Sequence, residues 1–205
     1  MDLTNIPLYS VDEANKVAER IYKTQIPGLY YINTQVHTDD RGFYREVALI
    51  PDLNSVLSEK FEPKQFNHSN SNTNVARGVH AENWNKLVTV THGACLCVLC
   101  DIRPDSPTFL KKEYILLGFG ENNPLPGAIF ITQGIGNSFL TLEGPSDYIY
   151  AVDSLYRDRN TSGDTAISLF DEDLAINWPV AKENMKISDR DKASVSLRSL
   201  YPNKF

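Results

Sequence analysis

QFNHSNSNTNVARGVHAENWNKLVTV, residues 65–90, decides how the rest of the chain is read. Val75 to His80 alternates through Arg77 and Val79 with Gly78 between them, and Lys86 to Val90 is rich in β-branched residues. Both read as strands, and Ala81-Glu82-Asn83-Trp84-Asn85 as the polar connection between them. Two neighbouring strands then offer Arg77, His80 and Lys86 to one concavity. A cation pair there could hold an anionic substrate, and an imidazole that titrates near neutrality could move protons. On these residues alone a solvated basic face with one core histidine is an equally good reading.

Outward from this stretch the pattern repeats. From Gly28 onward short β-rich runs recur at YYINTQV, FYREVALI, NVARGVH, KLVTV, ACLCVLCDI, KKEYILLGF, GAIFITQ, NSFLTL and DYIYAV. DDRG, RPDSP, NNPLPG and EGPSD punctuate them with residues that suit turns. Many short strands with regular turn signals predict an all-β sandwich or barrel. Before them, residues 11–23 place Val11, Ala14, Val17, Ala18 and Ile21 at helical spacing, with Ser10 as N-cap and Asp12 and Glu13 in the first turn. That spacing predicts an appended helix without chemistry.

Composition narrows the function classes. The 205 residues suit one domain, and 41% hydrophobic content suffices for a core. A net charge of -6 argues against nucleic acid as partner. No apolar run reaches the length of a membrane span, and MDLTNIPLYS lacks the order of a signal peptide, so a cytoplasmic protein is expected. Cys95, Cys97 and Cys100 share one apolar run and read as reduced core residues rather than a metal site. The four histidines, His37, His68, His80 and His92, form no H-x-H pair, and His80 with Glu82 is the nearest candidate for metal ligation. Two ligands are fewer than a catalytic metal site normally uses, so no metal and no cofactor are expected.

Motifs spread in order along most of the chain resemble the dTDP-4-dehydrorhamnose 3,5-epimerase family. DDRGFYRE (39–46) is similar to its D-x-R-G-F-F-x-E, and QFNHSNSNTNVARGVH (65–80) to its Q-x-N-x-S-x-S-x-x-G-V-L-R-G-L-H. KLVTVTHGACLCVLCDIRPDSPTF (86–109) resembles K-L-V-x-V-x-x-G…D-x-R-x-x-S-P-T-F. FDEDLAINWP (170–179) and ISDRD (187–191) resemble W-D-D-P-x-L-x-I-x-W-P…L-S-x-K-D. The joint match runs over about residues 26–192.

The resemblance implies a cupin-type jelly roll over 26–192. The helix read from spacing makes 1–25 a helical extension outside that match, and short C-terminal helical segments and a tail at 193–205 complete the expected chain. It implies a metal-independent isomerase that removes the proton beside the 4-keto group of a nucleotide-linked 4-keto-6-deoxy sugar and returns one to the other face, in deoxysugar biosynthesis. By position in the motifs, His80 is the base, Asp171 its orienting carboxylate, Lys86 the enolate stabiliser and Tyr150 the acid. Arg77, Gln65 and Asn67 match residues that bind phosphates and sugar. Arg41 and Glu46 lie in a segment that in the family crosses to complete the neighbour's pocket, which implies a homodimer.

Departures from the pattern bear on the substrate. Asn137 stands where the family's I-P-x-G-F-A-H-G-F-L has a histidine, Ala151 where a lysine is usual, and Asn74 where a glycine is usual. Asn74 fits if its φ is positive. The G-N-S form resembles relatives acting on other 4-keto sugars, GDP-linked ones included, so dTDP and GDP both stay open and Asn137 is a specificity candidate. Two alternatives remain: a catalytically silent sugar-nucleotide-binding jelly roll, and a related ketoisomerase, which would want a second histidine beside the base.

Overall fold

The computed structural model describes residues 2–158, 161 and 163–205. Residues 11–23 are not the expected helix. They form one 3-10 turn at Glu13–Asn15 and two short strands, β1 (Lys16–Ala18) and β2 (Ile21–Lys23). Asp12 caps the turn by accepting from the Ala14 N–H at 2.9 Å. Beyond it the consecutive Ile21 and Tyr22 are both buried, as a strand covered on two faces allows. β2 pairs antiparallel with β3 (Leu29–Ile32), Tyr22 opposite Tyr31. Tertiary pairing thus overrides the helical spacing, and the segment edges the main sheet instead of forming a helical extension.

β4 (Val36–Asp39) and β5 (Gly42–Arg45) make a hairpin outside that sheet, followed by α1 (Ile50–Val56). Then come β6 (Gln65–Ser71), β7 (Ala76–Ala81), β8 (Lys86–Asp101), β9 (Lys112–Gly118), β10 (Ala128–Ile131), β11 (Ile135–Val152) and β12 (Thr165–Ala166). α2 (Asp189–Lys192) and α3 (Leu197–Leu200) supply the short C-terminal helical segments.

Runs that read as separate strands are fused. KLVTV and ACLCVLCDI are both β8, while NSFLTL and DYIYAV are both β11, which passes straight through EGPSD. The two pair antiparallel from Ile135 opposite Asp101 to Val152 opposite Lys86, with register shifts between Thr141 and Tyr148. Gly93, at φ +68°, faces that irregular stretch; a Cβ there would lie 2.3 Å from the Glu143 carbonyl oxygen. Only glycine lets the strands approach while they bend.

The bend lets β8 and β11 serve two layers. Their ends at Lys86–Thr89 and Ser146–Val152 carry β10, β3, β2 and β1 on one side and β6 on the other. Their other halves carry β9, β7 and β12. Cys95, Cys97 and Leu99 point between the layers with Val88, Ile115, Ile129 and Phe139. Leu96, Val98 and Cys100 point outward, under Ile167, Leu169, Leu174 and Leu197 of the C-terminal region. Burial on both faces explains the unbroken apolar run. It also leaves the three thiols unpaired, with Cys95 pushed up to about 11 and Cys100 to about 12. Among the described residues no helix is long and apolar enough to cross a membrane.

Candidate active site

The site forms where β7 lies against β11. In a regular strand Arg77 and His80, three apart, would face opposite ways. Here His80 pairs with Asn137 and Arg77 with Phe139, so three steps on β7 match two on β11, and this bulge turns both side chains to one side. Gly78 makes it possible. It sits at φ +122°, and a Cβ would lie 2.5 Å from that of Ser138 and 2.7 Å from the Asn137 carbonyl oxygen. Asn74, at φ +66°, takes the conformation that its replacement of a glycine requires.

The partner of His80 is Asp191, at 2.6 Å from Nε2. This corrects Asp171. Asp171 Oδ1 accepts from the backbone N–H groups of Asp173 (3.1 Å) and Leu174 (2.9 Å), and its Oδ2 from that of Leu197 (2.7 Å). It ties the start of α3 to the preceding loop and does not reach the imidazole. Asp191 stands at the third position after the Ser188 N-cap of α2 and donates its own N–H to Ser188 Oγ at 3.1 Å. Its side chain is 4% exposed. Burial pushes the carboxyl up, but hydrogen bonds and charge from His80, with Ser188 and the Gly78 backbone, hold it below the usual carboxylate range. An ionised Asp191 accepts only, so Nε2 carries the hydrogen and Nδ1 is left as the basic nitrogen of the ring.

His80 opens on a cavity of ≈ 200 Å³ at the mouth between the layers, lined also by Arg77, Lys86, Asn67, Asn137 and Tyr150. Lys86 begins β8; its Nζ lies 5.7 Å from the centroid of the Tyr150 ring and is ion-paired to Glu82. Glu82 as the partner of Lys86 was missed from sequence, although a carboxylate four residues before a lysine in so short a connection was a readable signal. Asn137 accepts from the Tyr148 hydroxyl at 3.1 Å, and Arg77 Nε donates to Ser71 Oγ at 3.2 Å. Gln65 donates to Asn67 Oδ1 at 2.7 Å and accepts from the Tyr156 N–H at 2.8 Å, so it braces Asn67 from outside the lining. Arg190, Tyr156 and His68, to which the motifs assign no role, also line the cavity; His68 is held at the exposed rim by Asp147 at 2.9 Å.

Arg41 and Glu46 are not brought to this cavity by their own chain. Arg41 pairs with Asp39 at the hairpin tip, and Glu46 with Arg20 at 2.9 Å. A larger hollow of ≈ 460 Å³ lies beyond Asp191; Leu169, Phe170, Met185 and Ile187 share its wall with Lys182, Glu183 and Lys192, and among the described residues no histidine or tyrosine lines it. Among the described residues no three His, Cys, Asp or Glu side chains are grouped to hold a metal ion.

An imidazole locked to a buried carboxylate, facing an ammonium and a phenol, is an acid/base constellation. The family model for dTDP-4-dehydrorhamnose 3,5-epimerase matches residues 23–199. The chain belongs to this family. The dTDP-4-dehydrorhamnose 3,5-epimerase of Escherichia coli K12 is 31% identical over 184 residues, 88% of this chain and 95% of the relative. The dTDP-4-dehydro-6-deoxyglucose 3-epimerase of a Streptomyces species is 27% identical over 181 residues, covering 86% and 88%. Among solved structures, dTDP-6-deoxy-D-glucose-3,5-epimerase of Legionella pneumophila, in complex with dTDP-4-keto-L-rhamnose, superposes with a TM-score of 0.77 at 28% identity, covering 90% of this chain and 96% of that one. Membership makes the chain an isomerase of the epimerase class with the jelly-roll fold.

Proposed function

We propose that the chain epimerises C3, C5 or both of a nucleotide-linked 4-keto-6-deoxy sugar in the cytoplasm, through an enolate and without a metal. The observation that carries this is the His80–Asp191 pair opening on a cavity walled by Lys86 and Tyr150. His80 Nδ1 takes the proton from the carbon beside the 4-keto group, and Asp191 stabilises the imidazolium. The electron pair moves onto the keto oxygen, where the Lys86 ammonium meets it. Tyr150 delivers a proton to the opposite face, the enolate collapses to the ketone, and the configuration is inverted. Arg77, with Arg190 in the same lining, suits the diphosphate; Asn67, braced by Gln65, suits the sugar.

The names of the relatives favour dTDP over GDP as the carrier. A homodimer is part of the proposal: Arg41 and Glu46, outside their own chain's cavity, lie on or beside the β4–β5 hairpin, which also exposes Phe43 and Tyr44. The test is solvent deuterium incorporation into dTDP-4-dehydro-6-deoxyglucose and its GDP-linked counterpart. Incorporation at C3 or C5 with inversion is expected; tight binding with no exchange in either sugar would make the chain a binding protein.

A further inference from the structure

Asn137 and Tyr148 form a pair whose geometry reaches beyond general substrate binding. Asn137 lies directly opposite His80 in the β7–β11 ladder, and both line the cavity. Facing side chains of an antiparallel pair stand about 4.5–5.5 Å apart at Cβ. The Asn137 amide is therefore the immediate neighbour of the base.

Its orientation is set by Tyr148, which also lines the cavity. Tyr148 is 2% exposed, sandwiched by Phe139 at a centroid distance of 4.2 Å, with Tyr150 edge-on at 6.2 Å. A buried phenol without an acceptor is costly, and this one donates to Asn137 Oδ1. With Oδ1 engaged, the amide turns its Nδ2 donors away from Tyr148, and among the described residues Nδ2 has no hydrogen-bond partner. Burial pushes the Tyr148 phenol well above its ordinary range, so the donor persists at any working pH.

Enolisation places negative charge on the oxygen attached to the carbon next to the one that loses its proton. A donor beside the base is where that oxygen comes to lie. Lys86, the other donor, is already half of an ion pair with Glu82. We propose that Asn137 Nδ2 is a second donor to the enolate oxygen, and that Tyr148 is the positioning residue that keeps this donor, rather than the amide oxygen, turned to the substrate. The inference rests on the enolate chemistry proposed above.

The experiment measures, for each variant, solvent deuterium exchange into dTDP-4-dehydro-6-deoxyglucose and affinity for dTDP. Asn137→Ala and the isosteric Asn137→Asp are expected to slow exchange by about 10²–10³-fold, as loss of one preorganised donor does, with dTDP affinity unchanged. Asn137→His, which restores a ring N–H, recovers most of the exchange rate. Tyr148→Phe keeps the stacking and loses only the lock; it slows exchange less than Asn137→Ala does and leaves dTDP affinity unchanged. Exchange in Asn137→Asp at the wild-type rate overturns the proposal, as does a loss of exchange no larger than the loss of dTDP affinity. Wild-type protein that exchanges deuterium into neither this sugar nor its GDP-linked counterpart overturns the proposed function, and this inference with it.

Discussion

Asp191→Asn and Asp171→Asn are matched isosteric changes with opposite expected outcomes. The Asp191 carboxylate touches the His80 ring at 2.6 Å, and the side chains are 4% and 20% exposed. Charge centres about 4 Å apart at an effective dielectric of about 20 interact by about 4 kcal/mol, which sets the ceiling on what Asp191 gives the imidazolium. An asparagine keeps one hydrogen bond but no charge, and can present its NH₂ so that Nε2 becomes the acceptor. The exchange rate should therefore fall by about 10²–10³-fold, since about 1.4 kcal/mol is tenfold. Asp171→Asn removes one of two oxygens that together accept from Asp173, Leu174 and Leu197. Leaving one such N–H unpaired should lower stability by about 1–3 kcal/mol. The melting temperature then falls by about 2–12 °C for a chain of this size, while folded protein exchanges at the wild-type rate. Single-turnover deuterium exchange and thermal melts on both variants decide the matter. If Asp171→Asn abolishes exchange with its fold intact and Asp191→Asn does not, Asp191 is not the carboxylate that serves His80.

Gly78→Ala forces a Cβ to 2.5 Å from that of Ser138 at φ +122°. Strain and overpacking together predict a loss of about 2–6 kcal/mol, read as a drop of the melting temperature by about 5–20 °C. Asp101 is buried; burial pushes its carboxyl up, but Arg103, Ser106 and Thr108 hold it below the usual range. A depressed folded pKa means stability present above the unfolded value near 3.8 and lost as pH falls through the folded one. The stability gap between wild type and Asp101→Asn, measured by denaturant titration, should then narrow as pH falls below that value. Dialysis against a strong chelator should leave turnover unchanged; activity lost and then restored by a divalent ion would contradict the metal-free route.

The strands were legible because alternation and β-branched runs report local geometry. Strict alternation would set Arg77 and His80 on opposite faces; the bulge at Gly78 brings them together, and Tyr150 was pointed to only by the motif resemblance. The N-terminal segment was not legible, because Val17 and Ile21 satisfy helical spacing while the pairing of β1 with β2 and of β2 with β3 decides their state. The partner of His80 was misassigned for a similar reason. Asp171 and Asp191 are both motif acids, and which one reaches the imidazole depends on the path of the C-terminal region. The Ser188-x-x-Asp191 spacing, a helix-start signature, was the local hint that Asp191 is held in a fixed pose. The fusion of β8 and β11 hid behind Gly93 and Pro145, residues that suit turns but here mark bends in continuous strands.

The central claim is that base and acid work from opposite faces of one enolate. It is tested most directly by following deuterium exchange and epimer formation together in Tyr150→Phe, with His80→Asn beside it. His80→Asn should lose both by at least about 10²–10⁴-fold. Tyr150→Phe should still exchange, through His80, and give labelled sugar of unchanged configuration while the epimer fails to accumulate. Tyr150→Phe that stops exchange and epimerisation together, with its circular dichroism intact, would contradict the two-face account and assign Tyr150 to binding or packing.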